Sequence, residues 1–513
     1  MSRWHATLEY FQFPLKVLFF ATILLGIGSS IINPNIAFLW EVENPTVILM
    51  SEIMRYSGGF LIRLFPFMVF IKVLTRKFED SVPVFVGFIS YVIMNIIILF
   101  LEDTTFASYY YGNMLGIQIT FNEESIFGAM TRIPFNTGVF TLLLAYFITT
   151  RSYLKSRHYT MHGVLSFIDH DTWSMILSIF FSILSGIVLA YAWPFVISAI
   201  QYIYEYISND LLNPMNMFIY GIIDRLSAVT GLQDLPRSAF WYSEIGGTAA
   251  DNFGVLYTGD VGVWFAKENM NIVTTYAGHL ITPYYVINMF IIPSFLIAYY
   301  SLVSSRKDRF RYFLFFILAI LLSIICGNPL PMEFFMMILS PLLYILYLFC
   351  VGILFAGFQI LGVAIGYIYE GTMLVTNPGS LLDLLRYFRN PEMLYALSMI
   401  ATFGVIFFVI FFFATRRYFS KYAIGLFALS DREEVTQRVI DALGGMKNIV
   451  NVEATPDKMM VSLLHREQIV FQALKEEGAY LILESKDGYL IRLGNISLIV
   501  AKQMKKALAK KNT

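Results

Sequence analysis

The chain has 513 residues, of which 57% are hydrophobic and only 14% are charged, and its mean hydropathy is +0.65. A soluble protein of this size does not need so much apolar surface, and many apolar runs of about 18 residues or more are typical of a polytopic helical protein in a lipid bilayer. The 36 basic residues balance the 36 acidic ones, so the net charge of zero gives no support for binding to nucleic acid.

Cysteine and histidine leave little scope for thiol or metal chemistry. Cys326 and Cys350 both lie in apolar runs, where cysteine is usually a small packing residue, so a disulfide framework is not expected. The six histidines are scattered without the spacing of a metal site, and we expect neither a metal nor a cofactor. No cleavable signal peptide is expected, because the first apolar run begins near Phe13 and lacks a small-residue cleavage site.

The N-terminal half contains a series of apolar runs that are long enough to cross a bilayer. The turn after the second run carries Arg76 and Lys77, so by the positive-inside rule that turn, and the N-terminus with it, is expected on the cytoplasmic side. The fifth run passes through Pro194 and fits one long kinked helix. The predicted spans are 14–33, 48–75, 83–101, 134–150 and 173–204.

The segment 213–234 is apolar enough for a membrane, yet it carries four polar or charged side chains, Asp224, Arg225, Gln233 and Asp234. A charged side chain at bilayer depth costs at least ~2.5–3.5 kcal/mol on insertion scales. The proline and glycines of the segment also disfavour a straight helix, and broken backbone at this depth is tolerated where it lines a cavity or is buried in protein. We therefore expect the segment to line a polar substrate pocket. A structural ion pair between helices is the alternative.

Apolar runs resume after a long polar stretch, 235–275, which has almost no potential to span a membrane. The segment 327–339 contains two prolines and Glu333 and is too short and broken to cross, so it predicts a second re-entrant element. Glu333 is expected either in the pocket or in support of a helix terminus. We expect a polytopic α-helical membrane protein of about ten spans with two re-entrant hairpins. The later spans are 283–304, 311–326, 340–366 and 396–415.

After Ser430 the composition becomes charged, with ordinary alternation of apolar and polar residues. Because the last span ends at Arg416 and Arg417, we expect a small α/β domain on the cytoplasmic side. Its predicted helices are 431–443, 466–476 and 496–510, and its predicted strands are 448–453, 459–464, 479–484 and 488–493.

Five stretches of the chain match the motifs of one protein family in the same order. The stretch 218–234, FIYGIIDRLSAVTGLQD, is similar to the pattern FIYG-x-x-NR-x-x-x-PTGLHH. The others are 24–34 (LLGIGSSIINP), 136–140 (NTGVF), 327–344 (GNPLPMEFFMMILSPLLY) and 444–451 (GGMKNIVN). Together they resemble a bacterial phosphoenolpyruvate:sugar phosphotransferase system permease of the glucose/maltose/N-acetylglucosamine class. The resemblance assigns 1–425 to an enzyme IIC-like membrane domain and 426–513 to an enzyme IIB-like domain.

The resemblance implies a homodimer in the bacterial plasma membrane, with both termini cytoplasmic and a small neutral sugar or polyol as the ligand. It also implies other phosphotransferase-system proteins as partners. In a working member of the family, a IIB cysteine takes phosphate from enzyme IIA and passes it to the bound sugar.

The IIB-like domain departs from the family at the phosphate carrier. Thr455 stands where the resemblance places the phosphocysteine, and it is followed by Pro456 and Asp457 in place of a basic run. A threonine hydroxyl has no ionisation comparable to that of a thiol, and no activating partner is evident. We therefore expect no catalytic residue in this domain, and Thr455 is more simply a turn residue.

The membrane site departs from the family in a similar way. Asp224 replaces an asparagine while Arg225 is kept, Leu330 replaces a glutamate while Glu333 matches the next one, and the acidic stretch 169–171 replaces a basic loop. In the family these positions bind sugar or help to bring phosphate to it. The substrate-binding residues that the resemblance implies here are Asp224, Arg225, Gln233, Asp234, Asn328, Glu333 and His170.

Three functions remain open on the sequence. The first is a permease that binds and moves a sugar or polyol without phosphorylating it through its own IIB-like domain. The second is a membrane sugar sensor or regulatory partner of the phosphotransferase system. The third is an active sugar phosphotransferase that uses a separate IIB protein, and the missing cysteine argues against this enzymatic role within the chain.

Overall fold

The computed structural model divides the chain into two compact units. One is Phe13–Lys421, and the other combines Met1–Gln12 with Tyr422–Thr513. The residues that the structure describes are 2–33, 35, 44–78, 80–101, 121–125, 128–132, 137–159, 163–165, 167–270, 277–303, 306–370, 373–374, 378–421, 432–454, 458–477, 479, 481–485, 488–493 and 497–511.

The larger unit is mainly helical. Its helices, with the part of the first that precedes Phe13, are α1 (Ser2–Ile31), α2 (Pro45–Arg63), α3 (Phe65–Phe78), α4 (Val82–Leu101), α5 (Phe140–Ser156), α6 (His170–Ser208), α7 (Pro214–Thr230), α8 (Asp234–Tyr242), α9 (Gly259–Asn269), α10 (Thr282–Ser301, with a π-helical turn at Ile287–Ile291), α11 (Arg306–Cys326), α12 (Leu330–Leu339), α13 (Pro341–Ile360), α14 (Leu381–Leu384) and α15 (Leu394–Lys421). Its two-stranded antiparallel pairs are β1 (Phe121–Ser125) with β2 (Gly128–Arg132), β3 (Thr248–Ala250) with β4 (Leu256–Thr258), and β5 (Tyr369–Glu370) with β6 (Met373–Leu374).

Length and apolar composition identify membrane-crossing candidates among these helices. The described residues contain six helices that are long and apolar enough to cross a bilayer, or seven if α2 and α3, which meet at 50°, form one bent span. The chain therefore has the fold of a helical membrane protein. The prediction of one long helix through Pro194 is confirmed, because α6 runs without a break for 39 residues.

Local chemistry fixes the limits of α7, which carries the polar segment. Asn213 accepts a hydrogen bond from the backbone N–H of Met215 at 2.9 Å, and Pro214 follows at the first helical position, where its missing N–H costs nothing. The helix ends at Gly231, which has φ of +73°. This left-handed conformation suits glycine and lets the Leu232 N–H reach the Ser227 carbonyl at 2.9 Å.

Two glycines allow α7 and α13 to pack closely. A Cβ on Gly221 of α7 would lie 2.5 Å from Phe355 Cδ2, and a Cβ on Gly352 of α13 would lie 2.7 Å from Phe218 Cδ2. Each glycine thus accepts an aromatic ring of the opposite helix, a use of small residues that is common between membrane helices. The close approach brings the tyrosines of α13 up to the charged residues of α7.

The polar stretch 235–275 is more ordered than its sequence indicates. Its described part contains most of α8, the β3–β4 hairpin and α9, in a stretch for which the sequence predicted no helix or strand. Close backbone contact explains part of this order. Gly259 has φ of +78°, and a Cβ there would lie 2.2 Å from the Trp241 carbonyl oxygen.

The smaller unit contains one four-stranded antiparallel sheet in the order β7 (Ile449–Ala454), β8 (Met459–Leu463), β10 (Gly488–Arg492) and β9 (Leu481–Ser485). Its helices within 422–513 are α16 (Arg432–Ala442), α17 (Phe471–Glu476) and α18 (Ser497–Lys511). Alternate apolar residues of the strands, among them Val452, Val461 and Ile491, are buried against these helices. The observed strands lie within two residues of the predicted ones.

Candidate functional site

The candidate site is centred on Arg225 of α7, which is 2% exposed. Its Nε donates to Asp224 Oδ2 at 2.8 Å, and its Nη2 lies 2.7 Å from the same oxygen. Its Nη1 donates to Glu333 Oε1 of α12 at 3.3 Å. Both carboxylates are fully buried, so the guanidinium joins the two segments that the sequence marked as polar and broken.

Tyrosines surround this charged group. Tyr284 of α10 accepts from Arg225 Nη2 at 2.8 Å and donates to Asp224 Oδ2, with its ring centroid 4.3 Å from the guanidinium carbon. Tyr347 of α13 donates to Glu333 Oε1, and Tyr344, one turn earlier, donates to the Arg225 carbonyl oxygen at 3.1 Å. Four elements, α7, α10, α12 and α13, therefore position the cluster.

Each carboxylate of the cluster has one oxygen atom that accepts no hydrogen bond from the described residues. Asp224 Oδ1 and Glu333 Oε2 are buried and have no hydrogen-bond partner among the described residues. A buried carboxylate oxygen without a donor costs free energy, about 1–3 kcal/mol or more for a charged group. The unpartnered oxygens are suited to accept hydrogen bonds from a bound group that carries hydroxyls.

Arg237 of α8 brings a second positive charge close to the cluster. Its positive charge acts on the buried Tyr284, and its guanidinium carbon lies 5.0 Å from the centroid of the Trp241 ring. Trp241 Nε1 in turn donates to the hydroxyl of Tyr220 at 3.1 Å. With Arg237, the site contains two carboxylates and two guanidiniums, so its formal charge is zero. A neutral ligand suits this balance better than a charged one.

Asp224, Arg225 and Glu333 are brought together as one cluster, while the other sequence candidates lie elsewhere. Gln233 and Asp234 are half-buried at the start of α8. Asn328 accepts from the Leu330 N–H at 3.2 Å and so supports the start of α12. His170 is exposed at the start of α6, with Nδ1 3.0 Å from the Ser156 carbonyl oxygen. Thr455 lies outside the described residues.

Two of the resembling stretches meet beside this cluster. Gly138, from the stretch 136–140, has φ of +53°, and a Cβ there would lie 2.8 Å from both Leu232 Cγ and the Thr230 carbonyl oxygen. The turn that ends α7 is thus packed against the chain just before α5. A side chain at Gly138 would displace that turn.

Sequence reasoning missed the tyrosines and Arg237. Tyr344 and Tyr347 are three residues apart and share one face of α13, so helical spacing could have paired them. Tyr284 gave no such signal, since α10 is apolar and the aromatic content of the chain is 17%.

Within the described part of the chain, no three His, Cys, Asp or Glu side chains are grouped so that they could hold a metal ion. The chemistry that the cluster offers is hydrogen bonding and charge. No protein-family model matches the chain.

Proposed function

We propose that the chain is a sugar permease of the phosphotransferase-system type, which binds a neutral sugar or polyol at the Arg225 cluster and moves it across the membrane without phosphorylating it through its own IIB-like domain. The observation that carries this proposal is the fully buried charge cluster with two carboxylate oxygens for which the described ranges provide no donor. A sugar hydroxyl can donate to each oxygen, and the arginines can donate to ring or hydroxyl oxygens.

The proposal includes a finer architecture. We infer about ten spans, with re-entrant hairpins formed by the segments 213–234 and 327–339, and a homodimer in the bacterial plasma membrane. In this arrangement 1–425 is the permease domain, 426–513 is a cytoplasmic IIB-like domain without the phosphocysteine, and both termini are cytoplasmic. Phosphotransferase-system proteins are the expected partners of the cytoplasmic domain. Half-helix ends and broken segments at the midplane are the usual place for a transporter site.

Binding to the purified full chain in detergent tests the site. A panel of radiolabelled neutral mono- and disaccharides is the probe, and at least one is expected to bind the wild type and to lose affinity 10-fold or more in Arg225→Met and in Glu333→Gln. Arg386→Met is the matched control, because Arg386 pairs with Glu268 at a partly exposed position. Equal binding by the wild type and both site variants would refute the assignment of the site.

Uptake into proteoliposomes tests movement. Entry of the bound sugar into vesicles containing the wild type is expected, with entry reduced in Arg225→Met. Binding without entry would contradict transport and would favour a sensor.

Phosphorylation tests the silence of the IIB-like domain. The full chain is incubated with the general phosphotransferase components and labelled phosphoenolpyruvate, and no label is expected on the fragment 431–513 after proteolysis. Label on that fragment would overturn this part of the proposal.

A further inference from the structure

A second buried polar pair lies outside the Arg225 cluster. Asp260 of α9 is 1% exposed, and its carboxylate accepts from the Gly278 backbone N–H at 3.0 Å and from the Tyr367 hydroxyl at 2.8 Å. Burial raises the pKa of Asp260, and the charge of His279 and the Tyr367 hydrogen bond oppose that rise. The carboxylate is therefore held firmly in a place where its negative charge is only partly stabilised.

His279 faces this carboxylate, and within the described part of the chain its ring nitrogens make no hydrogen bond. Its side chain is 6% exposed, and its Nδ1 lies 3.9 Å from Asp260 Oδ1, which is within ion-pair range but too long for a hydrogen bond. Neither ring nitrogen has a hydrogen-bond partner among the residues that the structure describes. A buried imidazole in this state costs free energy, and a proton at Nδ1 would turn the contact into a charge-assisted hydrogen bond after a shift of about 1 Å.

The backbone around the pair is closely packed, so the main chain that carries the two side chains is held in place. A Cβ on Gly278 would lie 2.7 Å from Gly366 Cα, and a Cβ on Gly366 would lie 1.9 Å from Trp264 Cδ2. Thr282 Oγ1 also donates to the Gly278 carbonyl at 2.8 Å and accepts from the Ile365 N–H at 2.8 Å. The start of α10 is thereby held against both α9 and the chain after α13.

Other charges near the pair are already engaged or act weakly. The Lys267 charge favours the ionised form of Asp260, and Glu268 is paired with Arg386. The remaining titratable groups on the elements packed against α9 are Asp234, Arg237 and Tyr242 of α8, Glu244 after it and Tyr257 of β4. None of these is a hydrogen-bond partner of Asp260 or His279 within the described ranges.

We propose that His279 and Asp260 form a buried proton-binding site, in which a proton taken up at His279 Nδ1 is held by the Asp260 carboxylate, and that sugar movement is linked to this proton. The second part rests on the proposed permease function. A permease that does not phosphorylate its sugar only lets the sugar equilibrate, whereas a proton that binds on one side and leaves on the other can drive accumulation. Histidine is suited to this role, because imidazole ordinarily changes charge within the physiological pH range.

Packed side chains join the two sites. Tyr367, which donates to Asp260, lies edge-on to Trp241 with ring centroids 5.6 Å apart. Trp241 lies under Arg237 and donates to Tyr220, next to the Arg225 cluster. These packed aromatic side chains connect the two sites. If a change of charge at His279 moves Tyr367, then Trp241 and the side chains at the sugar site would have to move with it.

The proton site is tested on the full chain in detergent by histidine C2-hydrogen exchange, followed residue by residue by mass spectrometry between pH 4 and 9. The exchange rate of His279 is expected to depend on pH, and this dependence is expected to differ in Asp260→Asn, which removes the carboxylate that holds the proton. His465, which is 60% exposed beside Glu467, is the internal reference, and its exchange should be the same in both proteins. A pH-independent His279, or the same curve in both proteins, would overturn the proposal.

A second variant covers the case in which Asp260→Asn does not fold. The Tm difference between the wild type and His279→Gln should vary with pH if His279 binds a proton, and a constant difference would reduce His279 to a packing residue.

Coupling is tested in vesicles that contain a pH dye, where a transported sugar should acidify the lumen with the wild type but not with His279→Gln. Sugar entry without acidification would overturn the coupling. If no sugar enters, the permease proposal fails while the titration still decides the proton site.

Discussion

The ion pair between Arg225 and Glu333 gives a prediction that can be worked from its geometry. Arg225→Met removes a guanidinium that is 2% exposed and leaves two buried carboxylates with only the charge of Arg237 nearby. Breaking a buried pair in this way typically costs about 3–5 kcal/mol, and we expect that loss in the free energy of unfolding. Glu333→Gln should cost less, about 1–3 kcal/mol, because Tyr347 can still donate to the amide oxygen and Arg225 keeps Asp224.

The double variant separates the pair from its surroundings. At the 3.3 Å distance between Arg225 Nη1 and Glu333 Oε1, the Coulomb energy at an effective dielectric constant of about 20 is about 5 kcal/mol. Asp224 and the tyrosines share that interaction. We therefore expect the double variant to lose about 2–3 kcal/mol less free energy of unfolding than the two single variants lose together. The assay is equilibrium unfolding of the detergent-solubilised chain by sodium dodecyl sulfate, followed by tryptophan fluorescence.

A control and a refuting result complete this experiment. The same cycle at Arg386 and Glu268, whose side chains are 39% and 31% exposed, should give less than about 1 kcal/mol. Losses at Arg225 and Glu333 that add within about 0.5 kcal/mol would show that the two groups are not coupled and would remove the ionic basis of the proposed site.

Three further predictions concern helix packing, pH dependence and the smaller unit. Gly221→Ala should destabilise the chain by about 1–3 kcal/mol because its Cβ would meet Phe355, while Gly357→Ala, whose Cβ would lie 3.4 Å from Phe403, should be close to neutral in the same unfolding assay. The hydrogen bond from Tyr153 lowers the pKa of Asp80, so the ionised carboxylate stabilises the folded chain. This contribution is fully present above the unfolded pKa of about 3.9 and is lost as pH falls through the lower folded pKa. Tyr153→Phe should therefore reduce the loss of Tm between pH 5 and 3, and an unchanged pH profile would contradict the pairing. Asn448→Ala should remove hydrogen bonds to Leu443 and His465, cost about 2–3 kcal/mol and speed amide exchange in Ile449–Ala454, whereas unchanged exchange there would refute the role of Asn448.

Hydropathy and helical signals determined much of the larger unit. The proline and glycines of 213–234 predict broken backbone, whereas α7 is continuous from Pro214 to Thr230, and Pro214 and Gly231 mark its ends through capping chemistry. The four strands of the smaller unit were also predictable from a local pattern. Apolar residues alternate with polar ones because only one face of the sheet is buried. By contrast, the order in 235–275 depends on α9 packing against α8 and the β3–β4 hairpin, and a local pattern does not encode such contacts.

The sequence by itself determined that the chain is a helical membrane protein with costly charges at Asp224, Arg225 and Glu333, because a charged residue within an apolar segment can be read directly from the sequence. Only the tertiary structure decided what those charges contact. It joined Arg225 to a glutamate 108 residues away, placed Tyr284 and Tyr347 on the carboxylates, and left His170 at the start of another helix. Pairing between distant helices depends on the depth and rotation of each helix, which glycine contacts such as those of Gly221 and Gly352 fix in three dimensions.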